Sequence, residues 1–212
     1  HKEYRRQRQM CIRDRTLMAQ KRGPYAKSDQ RRQTLGKAAL DLVRRHGHRN
    51  VSVSEIAEVA ETSEATVFYH FPTKEALFIA ALAQHDEENI RARGAEAGAI
   101  AEMGSRAEAG VQRTNYARLY NELAGAAADP THPANAFFQE RWARSVSVVA
   151  TDIRRLQHEG RVAESVDADS AAHILLAAWE GLQLQWMQGP PFDIRALLEW
   201  HIRTVLGPTA LD

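Results

Sequence analysis

Residues 63–77 read "SEATVFYHFPTKEAL" and divide into two helices broken at Phe71-Pro72-Thr73. At about 100° per residue, Val67 and Phe71 share one face of the first helix, while Ala65, Thr66 and Tyr69 project from the other. Isolated helices of fewer than roughly 12 to 15 residues are marginal in water. Val67 and Phe71 are therefore expected to anchor this helix in a core, leaving the Thr66/Tyr69 face open for contact.

Upstream, Leu35, Ala38, Ala39, Leu42 and Val43 recur at the spacing of one buried helical stripe, predicting a helix from about Ser28 to His46 that Gly47 ends. In "SVSE", Ser52 precedes Glu55 by three residues, the spacing of a capping box, in which hydroxyl and carboxylate each satisfy an orphan backbone N–H. A second helix then buries Val53, Ile56, Ala57 and Ala60 and stops near Glu61-Thr62, where Ser63 is placed to cap the next. A fourth helix, capped by Thr73, continues through Leu77, Phe78, Ala81 and Leu82.

Two short helices joined by a tight turn and braced by a third define a helix-turn-helix, whose second helix enters the DNA major groove. Thr66 suits a base edge or a thymine methyl. Tyr69, His70 and Lys74 suit phosphate oxygens. Residues 31–82 further resemble the N-terminal domain of the TetR family of transcriptional regulators: the Gly-terminated helix, the Ser-capped "SEIAEVA" helix and "TVFYHFPTKEAL" fall in register. That resemblance implies that Ala65, Thr66 and Phe68 approach bases and that Tyr69, His70 and Lys74 grip the backbone. With the caps Ser52 and Ser63 and the leading Glu64, these residues form the candidate DNA-binding set. Three positions depart from the family pattern. Glu61 replaces a turn glycine, Phe68 lacks the hydroxyl of the usual tyrosine, and Glu64 is acidic where a neutral or basic residue is usual.

Charge is divided along the chain. Residues 1–50 carry 15 Lys and Arg against 4 Asp and Glu, while the remaining 162 carry 13 against 23, an asymmetry hidden in the overall +1. A basic leading segment beside an acidic body suits phosphate steering. The extreme N-terminus, "HKEYRRQRQMCIRDR", does not open with Met and lacks apolar periodicity; about the first 15 residues are set aside as non-native, with Met18 the expected natural start. In "KRGPYAKSDQRR", Gly23-Pro24 bars a continuous helix, so residues 1–27 are expected to form a disordered basic arm. The helix-turn-helix domain follows over 28–82 and a helical regulatory and dimerisation domain over 83–212.

The chain of 212 residues, 44% hydrophobic, is long enough for a substantial core. No apolar run approaches a membrane span. The only cysteine is Cys11, which leaves no disulfide framework and suits the cytoplasm. No cofactor or metal site is expected. His-Glu-x-x-His, a phosphate loop and a nucleophile elbow are all missing, which disfavours the rival reading as a helical-bundle enzyme. His85-Asp86-Glu87-Glu88 reads as a polar helix end. A second rival, a helical interaction protein that binds no DNA, leaves Thr66, Tyr69, His70 and Lys74 without a role.

"ARGAEAGAIAEMGSRAEAG", residues 92–110, reads as a weakly anchored seam. Helices are expected at about 111–128, 133–159, 168–188 and 193–206, making the protein all-α. Residues 120–142, "YNELAGAAADPTHPANAFFQERW", resemble a C-terminal domain found in actinobacterial TetR-like proteins. In "SAAHILLAAWEGLQLQWM" apolar residues leave hardly any side free, and such a helix requires burial nearly all round. A two-fold four-helix bundle formed with a second copy would provide it. Leu175, Leu182, Trp186, Leu198, Ile202 and Val205 are the expected dimer interface. Phe137, Phe138, Trp142, His173 and Trp179 are the candidate lining of a small-molecule pocket. Double-stranded operator DNA, in the form of a pseudo-palindrome, a second copy and a small effector are the expected partners.

Overall fold

The computed structural model describes residues 26–92, 98–189 and 191–212; the N-terminal leader, Cys11, Met18 and the Gly23-Pro24 break lie outside the described residues. Among the described residues the chain is all helical. Helix α1 covers residues 26–46 and a short 3-10 turn covers His48–Asn50. There follow α2 (Val53–Val59), α3 (Glu64–His70), α4 (Lys74–Ala92), α5 (Ala99–Gln112), α6 (Thr114–Ala126), α7 (Asn135–His158), α8 (Ala168–Gln188) and α9 (Ile194–Leu206), with a final 3-10 turn at Pro208–Leu211.

Local chemistry sets the first boundaries. Gly47 takes φ 78, a left-handed value open to glycine, and its N–H closes α1 on the Val43 carbonyl at 2.8 Å. Ser52 and Glu55 form the expected capping box: the Glu55 N–H donates to Ser52 Oγ at 3.1 Å, and the Ser52 N–H to Glu55 Oε2 at 2.7 Å. These bonds hold the Glu55 carboxyl below its usual range. Residues 26 and 27 begin α1 instead of ending an arm, and the Arg31 and Arg32 side chains turn inward to brace its neighbours. Arg31 donates to the Ala60 carbonyl at 3.3 Å; Arg32 donates to the His70 carbonyl and lies 4.3 Å from the Phe71 ring centre.

Two cores follow. The first joins α1–α4 to α6 and the start of α7, through Leu35, Val43, Ile56, Val67, Phe71, Leu77, Leu119 and Phe138. The second joins α5, α7, α8 and α9, with Trp142 packed against both. The expected boundary at 82/83 falls within the continuous helix α4, so the reading head and the body share an element. The expected seam is also revised: Ile100, Met103, Ala107 and Val111 of α5 are buried, because the alanines and glycines between them allow close helix packing. Helix α5 ends at Gln112, inside the stretch read as one helix from 111, and α6 starts at Thr114 after the capping residue Arg113.

No side chain of α5 caps its own N-terminus; Asp152 of α7 does so from across the body. Its Oδ2 accepts from the Ile100 N–H at 2.8 Å and its Oδ1 from Arg155 Nε at 2.9 Å. Gly98 is fitted against that pair, since a Cβ there would lie 2.8 Å from both Asp152 Oδ2 and Arg155 Nη2. Removing the carboxylate strands the buried Ile100 N–H, while the exposed Arg155 guanidinium keeps its pair with Glu159. Asp152→Ala is expected to lower stability by roughly 2 kcal/mol in urea denaturation, and Asp152→Asn by less because an amide oxygen still accepts.

Candidate functional site

The reading helix α3 is held from beneath and open above. Val67 and Phe71 are each 1% exposed, whereas Tyr69 is 83% and Phe68 46% exposed. Ser63 Oγ accepts from the Thr66 N–H at 3.2 Å and lies 3.0 Å from Thr66 Oγ1. That contact orients the threonine hydroxyl and leaves it further bonding capacity. The Tyr69 and His70 rings meet edge to face at 5.1 Å. Thr73 caps α4 by accepting from the Ala76 N–H at 3.1 Å, and the half-buried Lys74 carries its ammonium 5.2 Å from the Phe78 ring centre. All nine sequence-selected residues reach solvent: Ser52, Ser63, Glu64, Ala65, Phe68 and Tyr69 are exposed, and Thr66, His70 and Lys74 half-buried.

Between α2 and α3 the chain closes as a Schellman turn, with the Thr62 N–H on the Ala57 carbonyl at 2.9 Å and the Glu61 N–H on that of Glu58 at 3.0 Å. Glu61 occupies the left-handed position at φ 48, the only non-glycine among the described residues with positive φ. An L-residue there costs on the order of 1 kcal/mol relative to glycine. The departure read from the sequence therefore has a local conformational cost, and the closing bonds are made.

The head is tied to the body by polar bridges. Glu122 of α6 accepts from Arg49 at 3.0 Å and meets His48 Nε2 at 2.9 Å, while Asn115 donates to the Arg44 carbonyl at 3.1 Å. His132, in the α6–α7 loop, meets Glu75 at 2.8 Å.

In the body, a cavity of about 350 Å³ is lined by Trp142 and Trp179 together with Met103, Arg141, Leu176 and Glu180. A neighbouring cavity of about 310 Å³ shares Arg141, Trp179 and Glu180 and adds His85, Tyr116 and Tyr120. The other candidate lining residues are elsewhere. Phe137 and Phe138 pack edge to face at 5.2 Å in the first core, and His173 is exposed on α8. The dimer set also needs correction: Leu175, Leu198 and Ile202 are fully buried in the protomer's own second core, and Leu182, Trp186 and Val205 are half-buried against it. The apolar groups left outside are Ile174, Leu184, Leu197 and Trp200, the last 65% exposed.

The residues that sequence reasoning missed form a half-buried polar chain. Arg141 donates through Nε to Asp86 at 3.0 Å and through Nη1 to the Tyr120 hydroxyl at 2.9 Å; that hydroxyl donates to Glu180 Oε1 at 3.2 Å. Glu180 has no ion pair among the described residues, and burial raises its pKa. His85 is mid-helix, not at a helix end, and is 6% exposed. Its Nδ1 lies 2.8 Å from Arg44 Nη2 and its Nε2 lies 3.0 Å from Asn89 Nδ2, so both ring nitrogens face polar partners. A sequence signal existed for part of this: Arg141 and Glu180 are charged residues in phase with apolar stripes, at Phe138+3 and Leu176+4.

Burial, then the charges of Arg44, Arg113, Arg141 and Arg106, lowers the His85 pKa from 6.5 to about 3. Below pH 6.5 the unfolded chain binds a proton that the folded ring refuses, so this group's contribution to stability falls as pH drops toward about 3. Urea titrations between about pH 4 and 7 should show the wild type losing stability up to ~1.4 kcal/mol per pH unit faster than His85→Gln. Equal slopes would mean that His85 protonates as readily in the fold as outside it.

A capped recognition helix on a braced three-helix head, continuous with a helical body that encloses polar cavities, defines a helix-turn-helix regulator. The description "Bacterial regulatory proteins, tetR family" matches residues 35–81, and "BetI-type transcriptional repressor, C-terminal" matches residues 124–207. The chain belongs to the tetR family. Similar curated proteins are the regulator YvkB of Bacillus subtilis (strain 168), 46% identical over 48 residues, and RutR of Escherichia coli (strain K12), 45% identical over 47 residues. These alignments cover 23% and 22% of this chain and only 25% and 22% of the relatives. Solved structures extend the likeness of fold. A TetR-family regulator from Rhodococcus sp. superposes with a TM-score of 0.62 at 24% identity, over 83% of this chain and 98% of that one. A regulator from Saccharomonospora viridis in complex with choline also gives 0.62 at 24% identity, over 84% and 98%.

Proposed function

We propose that this protein is a dimeric repressor without catalytic activity, acting on cytoplasmic DNA and released from a pseudo-palindromic operator when a small organic cation enters its body. The observation that carries the reading is the open face of α3, with Thr66, Phe68 and Tyr69 outward over the buried Val67 and Phe71. A short helix fixed in this way presents side chains to base edges without needing stability of its own. Ala65, Thr66 and Phe68 are assigned to bases, and Tyr69, His70 and Lys74 to phosphates.

Dimerisation is supported by the apolar groups that α8 and α9 leave outside. A groove of about 320 Å³ is lined by Ala177, Gly181, Leu182, Leu197 and Trp200, continuing the outer face. Burying a second copy there would set two α3 helices against two half-sites, roughly 34 to 36 Å or a multiple apart. The cation is supported by Glu180, a half-buried carboxylate that accepts from the Tyr120 hydroxyl, beside cavities walled by Trp142, Trp179, Tyr116 and Tyr120. Aromatic faces beside a carboxylate are the chemistry that holds an ammonium group. The choline held by the Saccharomonospora viridis protein belongs to that class.

The decisive measurement is fluorescence anisotropy against DNA upstream of the coding region and against random DNA, at several salt concentrations. Specific binding is expected to be roughly 10³-fold tighter or more and to fall steeply with salt. Lys74→Ala should weaken both DNAs alike and reduce the salt slope by about 1, whereas Thr66→Ala should cost ~1–3 kcal/mol on the operator alone. Equal losses on both DNAs from both variants would refute these roles.

Choline and simpler ammonium compounds probe the cavity by calorimetry. Glu180→Gln is expected to weaken their binding by about tenfold or more. The same change should raise stability at neutral pH, since the raised pKa means that the charge is a burden on the fold. Unaltered affinity would exclude Glu180 as the cation's partner.

A further inference from the structure

Where α1, α4 and the α5–α6 break meet lies a cavity of about 690 Å³, lined by Arg44, Glu88, Asn89, Arg113, Asn115 and Tyr116 among others. Two of its lining residues carry a buried atom with no hydrogen-bond partner among the described residues: Arg44 Nε and the Tyr116 hydroxyl. An unmet buried polar group costs about 1–3 kcal/mol. Both atoms are closed off from solvent, so a partner in the cavity reaches them only when the side chains above them shift.

The chemistry of that partner follows from what is already satisfied. Arg44 commits Nη2 to His85 Nδ1 and to Glu88 Oε2, both at 2.8 Å, so Glu88 balances its charge and Nε–H remains as a donor. Tyr116 is 8% exposed and its ring is fixed between His85, at 3.9 Å, and Tyr120, at 6.4 Å. Burial raises its pKa, so the hydroxyl keeps its proton and can donate. Arg113, exposed at the α5–α6 break, has no ion pair among the described residues and adds a positive charge that no lining carboxylate balances. The Asn115 amide, which spends one N–H on the Arg44 carbonyl, keeps a second as a further donor.

We infer that this junction cavity binds a small oxyanion, a carboxylate or phosphate group held by Arg113, Arg44 Nε and the Tyr116 hydroxyl. The site differs in make-up from the Glu180 cavity, which adds Glu102, Arg106, Arg141, Trp179 and Glu180; Asn89, Arg113 and Tyr116 line both. Its position gives the oxyanion influence on the reading head. Arg44 lies on α1, and its carbonyl already accepts from Asn115 of α6 at 3.1 Å. Occupation therefore ties α1 to α4, α6 and the α5–α6 break. By linkage, any change it makes in operator affinity is returned in equal factor on its own affinity.

The test uses the full chain without DNA, titrated at constant ionic strength with inorganic phosphate in one arm and succinate in the other. Binding is followed by calorimetry and by the proton–nitrogen resonances of the arginine Nε–H groups. The expected result is saturable one-to-one binding in at least one arm, with the Arg44 Nε–H resonance shifting in step; the arm that saturates identifies the oxyanion. Arg113→Gln and Tyr116→Phe, the second keeping the ring in place, should each weaken binding by about tenfold or more. Glu180→Gln should leave it unchanged while weakening the cation, which separates this site from the effector reading. No saturable binding in either arm would overturn the inference. So would binding that both Arg113→Gln and Tyr116→Phe leave intact, since the anion would then lie on the basic reading head.

Discussion

A seven-residue helix cannot hold its own shape in water, so the reading head depends on the burial of Val67 and Phe71. The rest of the head serves that burial. Helix α1 supplies Leu35 and Val43 to the same core, and its Arg31 and Arg32 fasten the C-terminal ends of α2 and α3 through backbone carbonyls. Charge that looks available for phosphate in the sequence is therefore partly spent on positioning. The face left over is aromatic and polar, and it is rigid because its underside is fixed.

Connection between head and body follows a different rule. The first core continues from α4 into α6 and Phe138, so the two parts share one packed apolar contact. Around that apolar contact, directional pairs set the angle: Glu122 with His48 and Arg49, Glu75 with His132, Asn115 with the end of α1. Hydrophobic contact is non-directional and tolerates sliding. Hydrogen-bonded pairs change only by breaking, and an interface built from both kinds can move between discrete arrangements.

The head was legible in the sequence because its instructions are local. Capping residues sit three positions from their partners, Gly47 marks a backbone conformation, and the apolar stripe of α1 needs only helical phase. The body's polar chain joins Arg141 to Asp86 across 55 residues and Tyr120 to Glu180 across 60, and no spacing rule reports such distances. Phase did flag Arg141 and Glu180 as charges within apolar stripes, which is the portion a sequence can give. Half of the expected dimer set lies inside the protomer for a related reason. When α8 is apolar on several sides, composition shows that two faces need covering but not which belongs to the protomer's own core. Leu175, Leu198 and Ile202 proved to be inside, with Ile174, Leu184, Leu197 and Trp200 outside. The weakly anchored seam gives way to a packed helix because the alanines and glycines of α5 let Ile100 and Met103 reach the core.

Glu180 and its neighbours bear on what the body is for. A helical bundle needing only stability gains by replacing buried charges with apolar groups of similar volume. This body keeps an arginine, two carboxylates, two tyrosines and a neutral histidine around its cavities, with one hydroxyl lacking a partner among the described residues. Such groups destabilise the empty protein, and a ligand that satisfies them recovers that free energy on binding. If they are better satisfied in one head-to-body arrangement than in another, the same free energy biases the arrangement, and only that difference moves the equilibrium. The polar chain includes Asp86 of α4 and, through His85, meets Arg44 of α1, so the groups that would sense a ligand are covalently part of the helices that carry the reading head.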